Sequence, residues 1–120
     1  YREWADAAAE HSAVLLDCAA RDDEIAELVA GLFPLDAEMQ QAVDDALPAA
    51  VAVYYEVFAP YDVLDQLYLQ SEAELQGAQA WVGIAAGIDD DATRDVLARC
   101  TALEQESAAA VKDLLATVRV

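Results

Sequence analysis

A chain of 120 residues amounts to one domain, long enough to bury roughly two-thirds of its unfolded surface without a structural metal or a dense disulfide framework. Twenty-four acids against six bases leave a formal charge of −18, a field that repels phosphate backbones and excludes ordinary nucleic-acid binding. The longest uncharged apolar runs, "ALPAAVAVYY" at 46–55 and "AWVGIAAGI" at 80–88, fall well short of the ~20 residues of a membrane span.

The first predicted element is a helix over 2–31. Steps of four and three along Trp4, Ala8, His11, Leu15, Cys18, Asp22, Ile25, Val29 and Leu32 trace a mostly apolar seam, the spacing of a helix that packs on another helix. "AGLFPLD" (30–36) ends it, with Gly31 suited to a left-handed stop. A second helix follows over 35–58, with Asp36 and Glu38 in its first turn. Its seam reads Met39, Val43, Ala46, Ala50, Val53 and Val57. Pro48 lies inside it and predicts a kink, because proline brings no N–H.

"FAPYD" (58–62) is the next break, with Pro60 and Asp62 opening a third helix over 61–87. "AGIDDDA" (86–92) then supplies Gly87 as a stop and Asp89 to Asp91 as caps for a fourth helix over 91–118. No alternating strand pattern competes with these four. Short connections make consecutive helices antiparallel neighbours, so the expected fold is all-α: one domain over 1–120, an up-down-up-down four-helix bundle with the second helix kinked near Pro48.

In that topology the first and last helices run side by side, and a register that sets residue 2 beside residue 118 brings Cys18 level with Cys100. Two readings of the pair stand. A disulfide would close a long loop, stabilise the fold by roughly 4–5 kcal/mol and place the domain in an oxidising, extracytoplasmic compartment. Two free thiols would be small core residues and would suit the cytoplasm. The same register sets His11, the chain's single histidine, level with Ser107, where a hydrogen bond to that hydroxyl or to a nearby carboxylate would satisfy it.

Chemical sites are sparse. A carboxylate di-iron bundle needs two Glu-x-x-His motifs, and Ala8 stands where His11 would need a glutamate. His11 with Glu56, Glu72 or Glu106 is the residual geometry for a metal, zinc would lack ligands, and "DDDATRD" (89–95) reads as a helix cap and not as a calcium loop. No glycine elbow or phosphate-cradling loop accompanies His11 and Ser107, so neither catalysis nor a cofactor nor a metal is expected. Aromatic residues do gather. Tyr54, Tyr55, Tyr61 and Tyr68 surround the turn between the second and third helices, with Phe58 among them and Trp4 at the same end. Their ring faces suit an amine or another cation.

Helical text running off both ends, with both termini at one end of a bundle, resembles in architecture the extracytoplasmic four-helix sensor domains of chemoreceptors and sensor kinases, whose terminal helices continue into flanking membrane helices. No motif accompanies the likeness. A non-enzymatic ligand-sensing domain is therefore the first expectation. An acidic protein-interaction module, acting on a partner or a second copy, or a nucleic-acid mimic is the alternative, and a small metal- or cofactor-holding bundle is the third. The acid-rich, lysine-poor composition, with Lys112 the single lysine, is also that of salt-adapted proteins.

Overall fold

A computed structural model describes residues 1–118. The protein is an all-α helical bundle with four long helices and no strand among the described residues. A short helix α1 (Arg2–Ala7) leads through one 3-10 turn (Ala9–His11) into α2 (Ser12–Leu32). Then come α3 (Ala37–Phe58), α4 (Val63–Ala86) and α5 (Asp91–Val118).

The capping aspartates set the starts. Asp36 accepts from the Met39 amide at 2.8 Å and Asp62 from the Asp65 amide at 2.9 Å, while Asp90 accepts from the Thr93 amide at 2.8 Å. Each satisfies one amide that the first helical turn leaves without a carbonyl. The stops differ from expectation. No glycine takes a positive φ, so α2 runs through Gly31 and ends at Leu32, and Gly87 closes α4 at φ −93°. The first predicted helix is also broken: Ala8, at φ −127° and ψ 70°, separates α1 from the 3-10 turn. α3 is unbroken across Pro48.

Three long helices share the core. α5 lies antiparallel to α4, where Lys112 pairs with Glu72 at 2.9 Å and Trp81 meets Glu104. It lies antiparallel to α2 as well, where Arg99 pairs with Glu24 at 3.0 Å. Burial falls into two apolar clusters. Leu15, Cys18, Leu67, Val111, Leu114 and Leu115, with Ala5 of α1, fill the end near the chain start, and Ile25, Cys100 and Leu103 fill the other with Trp81 and Leu28 against them. Between the clusters runs a polar layer containing Glu74 and Ser107, which are buried, and Arg21, whose Nε donates to Ser107 Oγ at 2.8 Å.

This register corrects the cysteine pairing. Cys18 lies opposite Ser107, its thiol 4.0 Å from the Ser107 carbonyl oxygen, and Cys100 packs with Ile25. The two thiols are thus one heptad out of step, about 10 Å along the helix axis, beyond the reach of a disulfide. Both are free and buried, so no bridge between Cys18 and Cys100 speaks for an oxidising compartment. His11 is not beside Ser107 either: it sits in the 3-10 turn with its Nε2 3.8 Å from Glu10.

α3 stands apart. Phe58 is its single buried residue, and Met39, Val43, Leu47, Val51, Val53 and Val57 are all between 42% and 59% exposed. The Cα radius of gyration is accordingly 15.8 Å, against ~13–14 Å for a compact chain of this length. Only the C-terminal turns of α3 lean on the rest, through Phe58 against Trp4 and the Tyr54 hydroxyl donating to Gln70. That lean creates a cavity.

Candidate functional site: an aromatic cavity beside a carboxylate layer

The cavity, about 670 Å³, opens between α1 and the last two turns of α3. Its rings form a connected series. Tyr1 stands edge-on to Trp4 with centroids 5.5 Å apart, and Trp4 edge-on to Phe58 at 5.6 Å. Phe58 tilts against Tyr54 at 4.7 Å, and Tyr54 meets Tyr55 at 6.4 Å. The series is built by helical spacing: Tyr1 and Trp4 are three residues apart, as are Tyr55 and Phe58, and Tyr54 and Phe58 are four apart.

Side-chain hydrogen bonds hold the rings. The Trp4 indole donates to Gln66 Oε1 at 2.8 Å, and Gln66 Nε2 donates to the Phe58 carbonyl at 3.0 Å, so one glutamine of α4 positions a ring from each wall. The Tyr1 hydroxyl donates to Glu74 Oε1 at 2.6 Å. Burial pushes the Tyr1 phenol well above its ordinary range, and the bond to Glu74 adds to it. Tyr54 is pushed up to about 12, first by burial and then by the charges of Glu74 and Asp22. All three phenols that face the cavity therefore stay neutral at any ordinary pH, with Tyr55 raised by its hydrogen bond to Glu3.

Two charged residues stand at the rim, Arg2 and Glu3. Arg2 is engaged by Asp23 of α2. Glu3, on the adjacent position of α1, leaves its carboxylate as the charge beside the Tyr55 ring. Ring faces carry negative quadrupole potential, and with a carboxylate at their edge they suit a cation with apolar substituents.

Behind the Tyr1 ring lies a second cluster, which the sequence did not announce. Asp22, Glu74 and Glu104, one from each core helix, bring carboxylate oxygens within 4.8 Å of one another. Glu74 is 3% exposed and also accepts from Gln70 Nε2 at 3.2 Å. Glu104 accepts from the Trp81 indole at 3.1 Å. It also comes so close to the backbone of α4 that a Cβ at Gly77 would lie 3.0 Å from Glu104 Oε1, so any larger residue there would make the Glu104 carboxylate shift. Asp22 is exposed, Glu104 half-buried and Glu74 buried, and three like charges this close with one out of water cannot all persist. Desolvation, with a hydrogen bond to Glu74, pushes Glu104 up to about 8, and partial desolvation beside Glu74 pushes Asp22 up to about 6. At neutral pH the layer therefore favours holding a proton where Glu104 meets Glu74. The oxygen spacing is also one that a hard divalent cation could span with ligand distances of ~2.3–2.6 Å.

Of the four tyrosines singled out in the sequence, Tyr54 and Tyr55 line the cavity. Tyr61 and Tyr68 lie outside it, each 48% exposed. Tyr1 and Glu3 were missed, although Tyr1 lies one turn from Trp4 and Glu3 directly precedes it. The carboxylates considered with His11 are dispersed: Glu72 pairs with Lys112, Glu106 with Arg99, and Glu56 lies exposed on α3. Compared with known proteins, the chain matches no family model, no curated protein and no solved structure.

Proposed function

We propose that this domain binds an organic cation, an amine or quaternary ammonium group, in the cavity between α1 and α3, and that it works as a non-enzymatic ligand-sensing bundle. The observation that carries this reading is the continuous series of five rings with the Glu3 carboxylate at its edge. The net charge of −18 supports it by raising the local concentration of cations. Sensing follows from which elements the ligand bridges. α3 touches the core at its C-terminal turns alone, so a guest held between those turns and α1 favours one inclination of α3 over others.

Choline and its uncharged carbon isostere 3,3-dimethylbutanol test this by calorimetry. Choline is expected to bind with a dissociation constant on the order of 0.1–1 mM and the isostere at least about tenfold more weakly, since the ring faces and Glu3 reward charge. Trp4→Ala removes the binding and Tyr68→Phe leaves it intact. Equal affinity for the two ligands, or none for choline at 10 mM (roughly ten times the weakest expected constant), overturns the reading.

A second reading, an interaction module, is favoured by one specific observation: the exposed apolar length of α3.

A further inference from the structure

We infer that α3 is the self-association surface of this protein and that two copies pair through it, antiparallel, about a twofold axis. This rests on the arrangement of α3 and not on the cation site.

At ~100° per residue, α3 divides cleanly. Met39, Val43, Ala46, Ala50, Val53 and Val57 lie within about 40° of one line along the helix. Ala42 and Ala49 flank them on one side and Tyr54 and Leu47 on the other. The acids of α3, Glu38, Asp44, Asp45 and Glu56, all fall on the remaining arc. Tyr54 and Phe58, which lean on Trp4 and Gln70, set the direction of the bundle. The central line points ~60–100° away from it, which is why Val53 and Val57 are the most exposed valines of the helix, at 59% and 56%.

Three features select a second copy as the occupant. The seam is nearly palindromic in size: large, large, small, small, large, large. An antiparallel mate therefore sets Met39 against the partner's Val57, Val43 against the partner's Val53 and Ala46 against the partner's Ala50. The alanines let the two backbones approach where the helices cross, and a twofold needs such self-complementarity. No charge lies on the line, so the pairing buries none, whereas a basic partner would find the acids on the far side. The apolar area offered is on the order of 700 Å², from six large side chains about half exposed and the alanines between them, close to the ~800 Å² per partner of a standard interface. The −18 charge on each copy opposes association, so salt should favour it, in contrast to binding of a cationic protein.

Sedimentation equilibrium of the whole chain between 1 and 100 µM, in 0.1 M and 1 M NaCl, tests the inference across concentrations that bracket roughly micromolar affinity. A monomer–dimer equilibrium that tightens at least about tenfold in the higher salt is expected. Val53→Glu and Ala46→Glu should each weaken it at least about a hundredfold, because the twofold makes each substitution bury two new charges in the apolar interface. Neither side chain belongs to the core, so the helical circular dichroism of both variants should match that of the parent. A chain that stays monomeric at 100 µM in 1 M salt, or a dimer that both variants leave intact, overturns the inference.

Discussion

Replacing Glu104 by glutamine should raise the thermal midpoint by roughly 5–10 °C at pH 8.5 and leave it nearly unchanged at pH 5. Glutamine keeps a donor toward Glu74 and an acceptor for the Trp81 indole and removes the charge. The sign follows from which state holds the proton. Glu104 in the folded chain titrates near 8, above its ordinary 4.5, so the native state binds more protons than the unfolded chain between those values. Stability is full below about pH 4.5 and declines as pH rises, with the loss complete above about 8. Asp22 acts in the same sense over a lower window, from 3.8 to about 6. A shift of this size in a fully buried group would be worth ~5 kcal/mol. Glu104 is only partly buried, and solvent screening reduces the expected change to roughly 1–3 kcal/mol. The comparison is made in EDTA, so that protons and not divalent cations are what the layer takes up. Equal midpoints for parent and E104Q at pH 8.5 would show that the Glu104 carboxylate is already well solvated.

The second large effect is an asymmetry between leucines. Leu67 and Leu103 are 0% and 1% exposed in the two apolar clusters, and truncating either to alanine should cost about 2–5 kcal/mol. That is a large part of the ~5–15 kcal/mol by which domains are stable. Leu47, on the second predicted helix and 53% exposed, should cost under about 0.5 kcal/mol in the same urea titration at 1–2 µM protein, a dilution chosen as roughly a hundredfold below the top of the range for self-association. A four-helix bundle with equal partners would penalise all three alike. A loss at Leu47 comparable to that at Leu103 would mean that α3 packs into the core.

These expectations mark where sequence reasoning held and where it ran out. The starts of α3, α4 and α5 were legible to within two residues because aspartates leave local signals there, although Asp36, expected inside the first turn, is the cap that precedes it. The buried face of α5 was half legible: Cys100, Leu103, Ser107 and Leu114 repeat at helical spacing, while Leu97, Ala108, Val111 and Leu115 widen the face beyond one heptad line. Register was not. A slip of one heptad keeps every apolar residue on the same face, so the seams alone could not separate Cys18 beside Cys100 from Cys18 beside Ser107. Polar particulars separate them, namely Arg21 with Ser107 and Arg99 with Glu24, and such pairs become visible only after the helices are placed. The carboxylate layer was hidden for a related reason: Asp22, Glu74 and Glu104 come from three helices, and each alone looks like one more acid in a chain with twenty-four. The cavity was half legible. Tyr54 and Tyr55 stood out as a pair, but the wall supplied by α1 depended on the break at Ala8, for which the alanine-rich text gave no sign.

The two tryptophans provide the most direct test of the central claim, that the rings between α1 and α3 hold an organic cation. The Trp4 indole N–H is bonded to Gln66 at the cavity, and the Trp81 indole N–H is bonded to Glu104 in the polar layer. Each gives its own amide-region resonance in a nitrogen-15 correlation spectrum. Titration with choline at constant pH should move the Trp4 resonance along a saturable curve and leave Trp81 in place. A Trp4 resonance that stays still through 10 mM choline (roughly ten times the weakest affinity expected), or a shift confined to Trp81, would contradict the account.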